Sequence, residues 1–397
     1  MKVLDRNTLI AVTRPNWSTP VTVEYAFKTS MFTSRNGYEK REAMRENARI
    51  SVQFVTALKK PGVIRHMQDM AESQTAVFTL PTRWRSAFTA APTTVSGDTV
   101  VLDETPFWCV PGARVVLTDD VTEEAFTVLT VVGTTVTIDG LWTKVFSTGS
   151  RLMAAYLARP AEQVEFEAVR SDVWVANVRY DVDPGTDPQP VPASAPVTFE
   201  GREVFLNKPN WQAGPRISFA AMREIVDSSR GVIEVSSPTL SNARIETMGY
   251  NGMDAAETED LIAFFLRHKG MRTGFFMPSW TDDIEVAGVS AAAFGKLLVE
   301  GIEFKDAYEN STVYNVLIAF WPDGSYQVNR IASMTLVGLD TELTMVDPWI
   351  AEMPSDIRVM FCHHWRFAAD VLNVNWITNE VSEMEFAVRT VQAGEND

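Results

Sequence analysis

Arg14-Pro15-Asn16-Trp17, near the start of the sequence, recurs as Lys208-Pro209-Asn210-Trp211 at its middle. At ordinary Pro, Asn and Trp usage, a given window matches Pro-Asn-Trp by chance on the order of once in 10⁴. The later anchors follow in the same order. Arg35 of Ser34-Arg35-Asn36-Gly37 comes eighteen residues after Trp17, and Arg230 of Ser229-Arg230-Gly231 follows Trp211 by nearly the same distance. Asn47-Ala48-Arg49-Ile50 is answered by Asn242-Ala243-Arg244-Ile245. Phe78-Thr79-Leu80-Pro81 with Trp84 is answered by Phe275-Phe276-Met277-Pro278 with Trp280, and Asp172-Val173 by Glu380-Val381. The offset grows from 194 at the first anchor to 208 at the last, so the sequence reads as a tandem duplication whose second copy is slightly longer.

Within a copy, the hydrophobic period sets the elements. Val21, Val23, Tyr25 and Phe27 alternate with polar or small residues, the period of a half-buried strand, and Ile217, Phe219 and Ala221 keep that parity. Ile50, Val52, Phe54 and Leu58 predict a second strand; its counterpart around Ile245 is weaker, because Gly249 falls where Phe54 would be. A helix follows, with Pro61 near its start and Val63, Ile64, Met67 and Ala71 on one face. In the second copy Asp254 and Glu257 read as a capping box, with Leu261, Phe264, Phe265 and His268 on one face and Gly270 just past the end. A strand ending at Pro81 or Pro278 comes next.

Short β-rich runs punctuated by Gly and Pro then fill 99–102, 114–118, 126–132, 135–139 and 151–157. An equivalent block in the second copy contains the turn Pro322-Asp323-Gly324. Each copy closes on a strand pair, at 164–168 with 173–182 and at 371–376 with 381–391. The expected fold class is mainly β (α+β): two tandem units, each a split β-sheet or barrel core with one packing helix and an inserted small β-barrel. The first unit covers 1–182 with its insertion at about 90–157, and the second covers 198–397 with its insertion at about 286–362. Between them, 183–197 is Pro-rich, which favours an extended, semi-rigid spacer over a loop packed on one unit.

The chain has 397 residues, 46% hydrophobic and 22% charged, within the range of globular proteins. Its net charge of −16 disfavours binding of phosphate backbones as the main activity. Two cysteines, Cys109 and Cys362, cannot build a disulfide framework. The first five residues carry charge without a long apolar run, so no secretion signal is expected. The longest apolar stretch, Val316 to Trp321, is far short of the roughly 20 residues that cross a bilayer, so no membrane insertion is expected.

Chemistry-bearing residues are sparse. His66 and His268 sit among apolar helix neighbours and read as packing residues. Cys362-His363-His364 supplies three ligand types, but successive strand residues point to opposite faces, and the first copy has Ala155-Tyr156-Leu157 in that region. The pairs Asp119-Asp120, Glu123-Glu124 and Asp282-Asp283 lie in turn-like segments, with no cleft to make an acid pair catalytic. No nucleophile elbow, P-loop or dinucleotide fingerprint occurs. Gly249 and Gly252 could open a helix to an anion but read more simply as an entry turn. Lys40, Arg41 and Arg45 alternate with Glu39, Glu42 and Glu46, the balance of a solvated or interface-forming arm. Catalytic, cofactor-binding and metal-binding residues are therefore none, and the chain is expected to be no enzyme. Eleven Trp and 22 Phe favour cores and protein interfaces, although exposed Trp84, Trp108 or Trp280 would also suit a carbohydrate-binding face.

The arrangement from Arg14-Pro15-Asn16-Trp17 to Arg49, and the Leu80-Pro81 to Trp84 and Met277-Pro278-Ser279-Trp280 elements, resemble the distal tail proteins of long-tailed bacteriophages and gene transfer agents. The stretch from Phe264 to Pro278 (FFLRHKGMRTGFFMP) carries most of the resemblance, with its helix, Gly turn and aromatic strand, and the closing 376–391 resembles the family's last hairpin. The resemblance implies tail-tube-like units in a six-fold ring that joins the tail tube to the tip, located in the virion and assembled in the host cytoplasm. It implies no catalysis and no cofactor. Two units per chain replace six subunits by three, so a trimer with pseudo-sixfold symmetry is expected. The implied partners are further copies of the chain, a tail tube protein, and baseplate hub or tail fibre proteins, with DNA only as passing cargo. An acidic lumen would let that cargo pass. A baseplate hub protein and a host-glycan-binding tail-tip module are the alternative readings.

Overall fold

The computed structural model describes residues 9–11, 13–33, 39–72, 77–161, 164–185, 196–210, 216–220, 224–227, 229, 231, 233–236, 243–288, 295–354 and 356–391. Anchors Ser34-Arg35-Asn36-Gly37, Trp211, Arg230 and Asn242, the parity position Ala221, and 186–195 of the Pro-rich segment lie outside the described residues.

The fold is mainly β. The first half opens with β1 (Val21–Ala26), the hairpin β2 (Thr29–Thr33) and β3 (Glu39–Ala43), the long strand β4 (Arg49–Lys59) and helix α1 (Lys60–Glu72). β5 (Phe78–Phe88) leads into an insertion of β6 (Thr99–Val101), β7 (Arg114–Thr118), β8 (Glu123–Val132) and β9 (Thr135–Ile138). β10 (Arg151–Pro160), β11 (Phe166–Ala168) and β12 (Val173–Val182) close the half. The second half begins with the short β13 (Thr198–Phe199) and β14 (Arg202–Glu203), then repeats the order with β15 (Arg216–Ala220), the hairpin β16 (Glu224–Val226) and β17 (Glu234–Ser236), β18 (Ala243–Met253) and α2 (Ala255–His268). β19 (Phe275–Pro278) leads to an insertion of β20 (Lys296–Val299), α3 (Glu303–Tyr308), β21 (Val316–Phe320), β22 (Tyr326–Val337) and β23 (Asp340–Met345). β24 (Arg358–Phe367), β25 (Val371–Trp376) and β26 (Ser382–Thr390) close it.

The pairings correspond as well as the order. β4 lies between β1 and β12, and β18 between β15 and β26. β10 pairs with β5, with insertion strand β7 at its start and with β12 at its end; β24 pairs with β19, β21 and β26 in the same way. The repeat anchors attach at matching places: the Asn16 amide donates to the Val55 carbonyl, and Asn210 Nδ2 donates to the Asn251 carbonyl. Val55 and Asn251 stand opposite Asn177 and Glu383 on their closing strands.

Several sequence expectations need correction. On α1, Val63 and His66 are buried, whereas Ile64 and Met67 stand about half exposed, so the apolar stripe is not the buried face. β18 is a full strand: Tyr250, not Gly249, takes the place of Phe54, and Glu246, Met248 and Tyr250 form the inward row. The stacked pairs Phe54–Tyr180 and Tyr250–Phe386 fix that register. Gly252, at φ +70°, is the extra residue of a bulge that lets β18 end at the helix cap Asp254. The second insertion is not all β, since α3 packs Phe304 into it.

Each insertion has its own core. Trp108, Trp142, Phe146 and Leu152 lie in the first, and Trp321, Leu343, Trp349 and Phe361 in the second. The central cores of the halves are continuous instead: Val21, Tyr25, Phe54, Trp84 and Tyr180 pack in one cluster with Phe265, Phe275, Trp365, Trp376 and Phe386. Burying side chains of this size stabilises by about 1.5–3 kcal/mol each.

Candidate assembly interface

Alternation along β1 turns Val21, Val23 and Tyr25 inward and leaves Thr22 and Glu24 on the polar face. One edge of β1 pairs with β4 of its own half. The other pairs with β25 of the second half, antiparallel, from Val21↔Trp376 through Val23↔Val374 to Ala26↔Val371. The two halves thus join edge to edge in one sheet, in the order β11-β12-β4-β1-β25-β26-β18-β15.

Four contacts beneath and beside this seam fix it. Arg85, on the inward side of β5, meets Glu259 of α2 in a two-pronged ion pair, Nε to Oε1 at 2.7 Å and Nη2 to Oε2 at 2.9 Å. Its Nη1 also donates to the Tyr156 hydroxyl at 3.1 Å, and both charged side chains are buried. Trp84 stacks on Trp376 at 6.1 Å, and Phe27 meets Phe265 of α2 at 5.8 Å. Asp370, in the turn before β25, accepts from the Thr29 amide at 2.5 Å, the Thr29 hydroxyl at 2.8 Å and the Met271 amide at 3.0 Å. Gly270 must lack a side chain here: its φ is +65°, and a Cβ would lie 2.7 Å from Asp370 Oδ1.

The β2–β3 hairpin completes the seam. Arg41 Nη1 donates to the Met271 carbonyl at 3.0 Å, Arg389 pairs with Glu39 at 3.0 Å, and Lys269 pairs with Glu46 at 3.1 Å. Burial alone would raise the Glu39 carboxyl, but the hydrogen bond from Arg41 and the charge of Arg389 outweigh it and hold it below the usual carboxylate range. The alternating charges of this arm therefore serve a contact between the halves. The sequence pointed to Lys40, Arg41 and Arg45 with their neighbouring acids, but gave no signal for Arg85, Glu259 or Asp370, which belong to no motif.

The other chemistry-bearing residues do not converge. Cys362 lies in an apolar cluster, His363 packs between Phe361 and Tyr314, and His364 stacks on Phe276. Burial pushes the Cys362 thiol up and the Cys109 thiol up to about 11. Burial, helped by the charge of Arg244, lowers His363 to about 4. Among the described residues, no group of three or more His, Cys, Asp or Glu is placed to hold a metal ion. His268 Nδ1 donates to the Phe264 carbonyl at 2.8 Å, and His66 meets the Phe166 ring at 5.5 Å.

The paired acids serve local structure. Asp119 binds Lys144, Glu123 binds Arg83 and Arg14, and Asp282 binds Arg358; Asp283 accepts from the Ser279 and Thr281 hydroxyls. Glu124 accepts from Thr143. The α2 N-terminus is closed by its own capping box, Asp254 Oδ1 accepting from the Glu257 amide at 2.8 Å, so Gly249 and Gly252 open no anion site. Trp84, Trp108 and Trp280 are all buried and cannot form an exposed carbohydrate-stacking face.

Among the described residues, no helix is long and apolar enough to cross a membrane. No protein-family model matches the chain, and no curated protein sequence matches it either.

Proposed function

We propose that the chain is a tandemly duplicated structural protein of a phage tail tip, forming a trimeric ring with pseudo-sixfold symmetry between the tail tube and the baseplate hub or central fibre. The observation that carries this reading is the β1–β25 seam. Two halves with the same order of elements meet edge to edge, and among the described residues the sheet ends on β11 at one side and β15 at the other. Repeated contacts of one kind around an axis close into a ring. The resemblance of the Phe264–Pro278 stretch and of the Pro-Asn-Trp anchors to distal tail proteins supports placing that ring in a virion. The side chains support a role in assembly over catalysis, since polar and aromatic residues at the seam tie elements together.

The polar face of the central sheet bears on the passage of DNA. Glu24, Arg179 and Asp181 form a chain of ion pairs there, at 3.6 and 3.4 Å, with Glu383 and Glu385 further across. That face carries both signs of charge; an acidic lumen stays part of the proposal, read from the net charge of −16.

Mass measurement with electron microscopy of the purified protein tests the ring. Three copies of the 44.3 kDa chain around a central hole are expected. A stable hexamer, or a lasting monomer in assembled particles, overturns the reading.

A further inference from the structure

Where β1, β4, β12 and β10 lie side by side, the register sets Glu24, Ser51, Asp181 and Arg159 in one row across the four strands. Two residues further along β1, Ala26 stands opposite Arg49 of β4. Ser51 and Ala26 are too short to fill the space between the long side chains around them, and a pocket of about 480 Å³ opens there. Four arginines line it, Arg45, Arg49, Arg159 and Arg179, against three carboxylates.

The charges of the pocket do not balance. Glu24 and Asp181 both meet Arg179, at 3.6 and 3.4 Å, and Asp183 meets Arg159 at 3.0 Å. Each carboxylate therefore already faces one of those two arginines. Arg45 and Arg49 are left over: among the described residues, neither has a hydrogen bond or an ion pair. Glu46, the neighbour of Arg45 in sequence, pairs instead with Lys269 across the seam. The net charge of −16 weighs little here, because exposed charges more than about 8 Å away are largely screened at physiological salt.

We infer that this pocket binds a chain of two or more phosphates, with Arg45 and Arg49 as its main contacts. A guanidinium presents a planar fork of N–H donors that matches phosphate oxygens, and it stays charged throughout the physiological pH range. Two unmatched forks suit an anion of more than one charge, and the volume lies within the range of small-molecule sites. Among the described residues, no aromatic side chain lines the pocket. It therefore offers a nucleobase no surface to stack on and reads the anionic groups alone. Such phosphates come as a free oligophosphate or along a nucleic-acid backbone, and the experiment below separates the two sources. The inference stands apart from the ring reading.

The test titrates inorganic tripolyphosphate into the full chain by calorimetry at low salt. The unaltered protein is expected to bind it, and Arg45→Gln with Arg49→Gln to weaken binding by about tenfold or more, through loss of charge-assisted contacts. Neither arginine has a polar partner among the described residues, so the circular dichroism spectrum and unfolding midpoint of that variant are expected to be unchanged. Glu24→Gln with Asp181→Asn frees Arg179 and is expected to tighten binding several-fold. Glu200→Gln with Asp282→Asn, the same change of charge at ion pairs outside the pocket, is expected to leave it unaltered. Displacement of tripolyphosphate by a short DNA duplex upholds the pocket with a nucleic-acid backbone as occupant. Tripolyphosphate binding without competition from the duplex upholds it for free oligophosphates alone. No binding by the unaltered protein, or binding that survives Arg45→Gln with Arg49→Gln at full strength, overturns the inference.

Discussion

Arg85 and Glu259 are the residues on which the contact between halves depends most sharply, because both are buried and their charges meet in a two-pronged ion pair. Removing one partner strands the other in a low-dielectric core, which costs about 3–5 kcal/mol; replacing both by apolar groups of similar size is often neutral or better. Arg85→Met alone is thus expected to lower the unfolding midpoint strongly, and Arg85→Met with Glu259→Leu to restore most of it. Equal losses in the single and double variants would show that the charge pair is not what the single change breaks. His363 sets a pH limit of its own. Above its ordinary value of 6.5 both the folded and unfolded imidazole are neutral, and its contribution to stability is complete. As pH falls, the unfolded chain takes up the proton first, while the buried ring resists until about 4. Stability should therefore fall by about 3 kcal/mol across that window. His363→Phe, which keeps a flat ring beside Phe361, is expected to flatten this part of the stability–pH curve in denaturant titrations.

At the scale of elements, the insertions are side branches whose hydrophobic contacts are mostly their own. The first enters and leaves through adjacent strands: the Thr89 amide donates to the Ser150 carbonyl at 2.9 Å, and Phe88 stands opposite Arg151. Replacing 90–149 by a two-residue Asn-Gly turn is therefore geometrically open and would leave β5–β10 as a hairpin. The shortened chain should keep its central core, read as retained near-ultraviolet signal from Trp84 and Trp376, while losing stability where Val116 of β7 no longer covers Met153 and Ala155. Collapse of the central core on excision would show that the branch is structurally required. Most of these elements were legible from local pattern: the alternation of β1, the capping box of α2 and the Asp323-Gly324 turn all depend on residues close in sequence. The helix face of α1 was not, because Ile64 and Met67 follow a helical period yet stand about half exposed.

For the molecule as a whole, Pro-Asn-Trp and the later anchors recur in order and the elements of the two halves follow one order too, while the fusion of the two central cores was not legible. No local period tells β1 that its second neighbour is β25 rather than an edge of its own half; that choice is made by Trp84 on Trp376 and Arg85 on Glu259, contacts between residues far apart in the chain. The same separation has a consequence in time. β1 is complete by residue 26, yet its partner strand Val371–Trp376 is made only after more than 300 further residues. At roughly 5–20 residues per second, β1 waits on the order of tens of seconds on the ribosome with Tyr25 and Phe27 uncovered. During that interval its open edge can zip to the 371–376 segment of an older chain on the same message, so crowded translation favours exchanged pairs in which each polypeptide completes its neighbour.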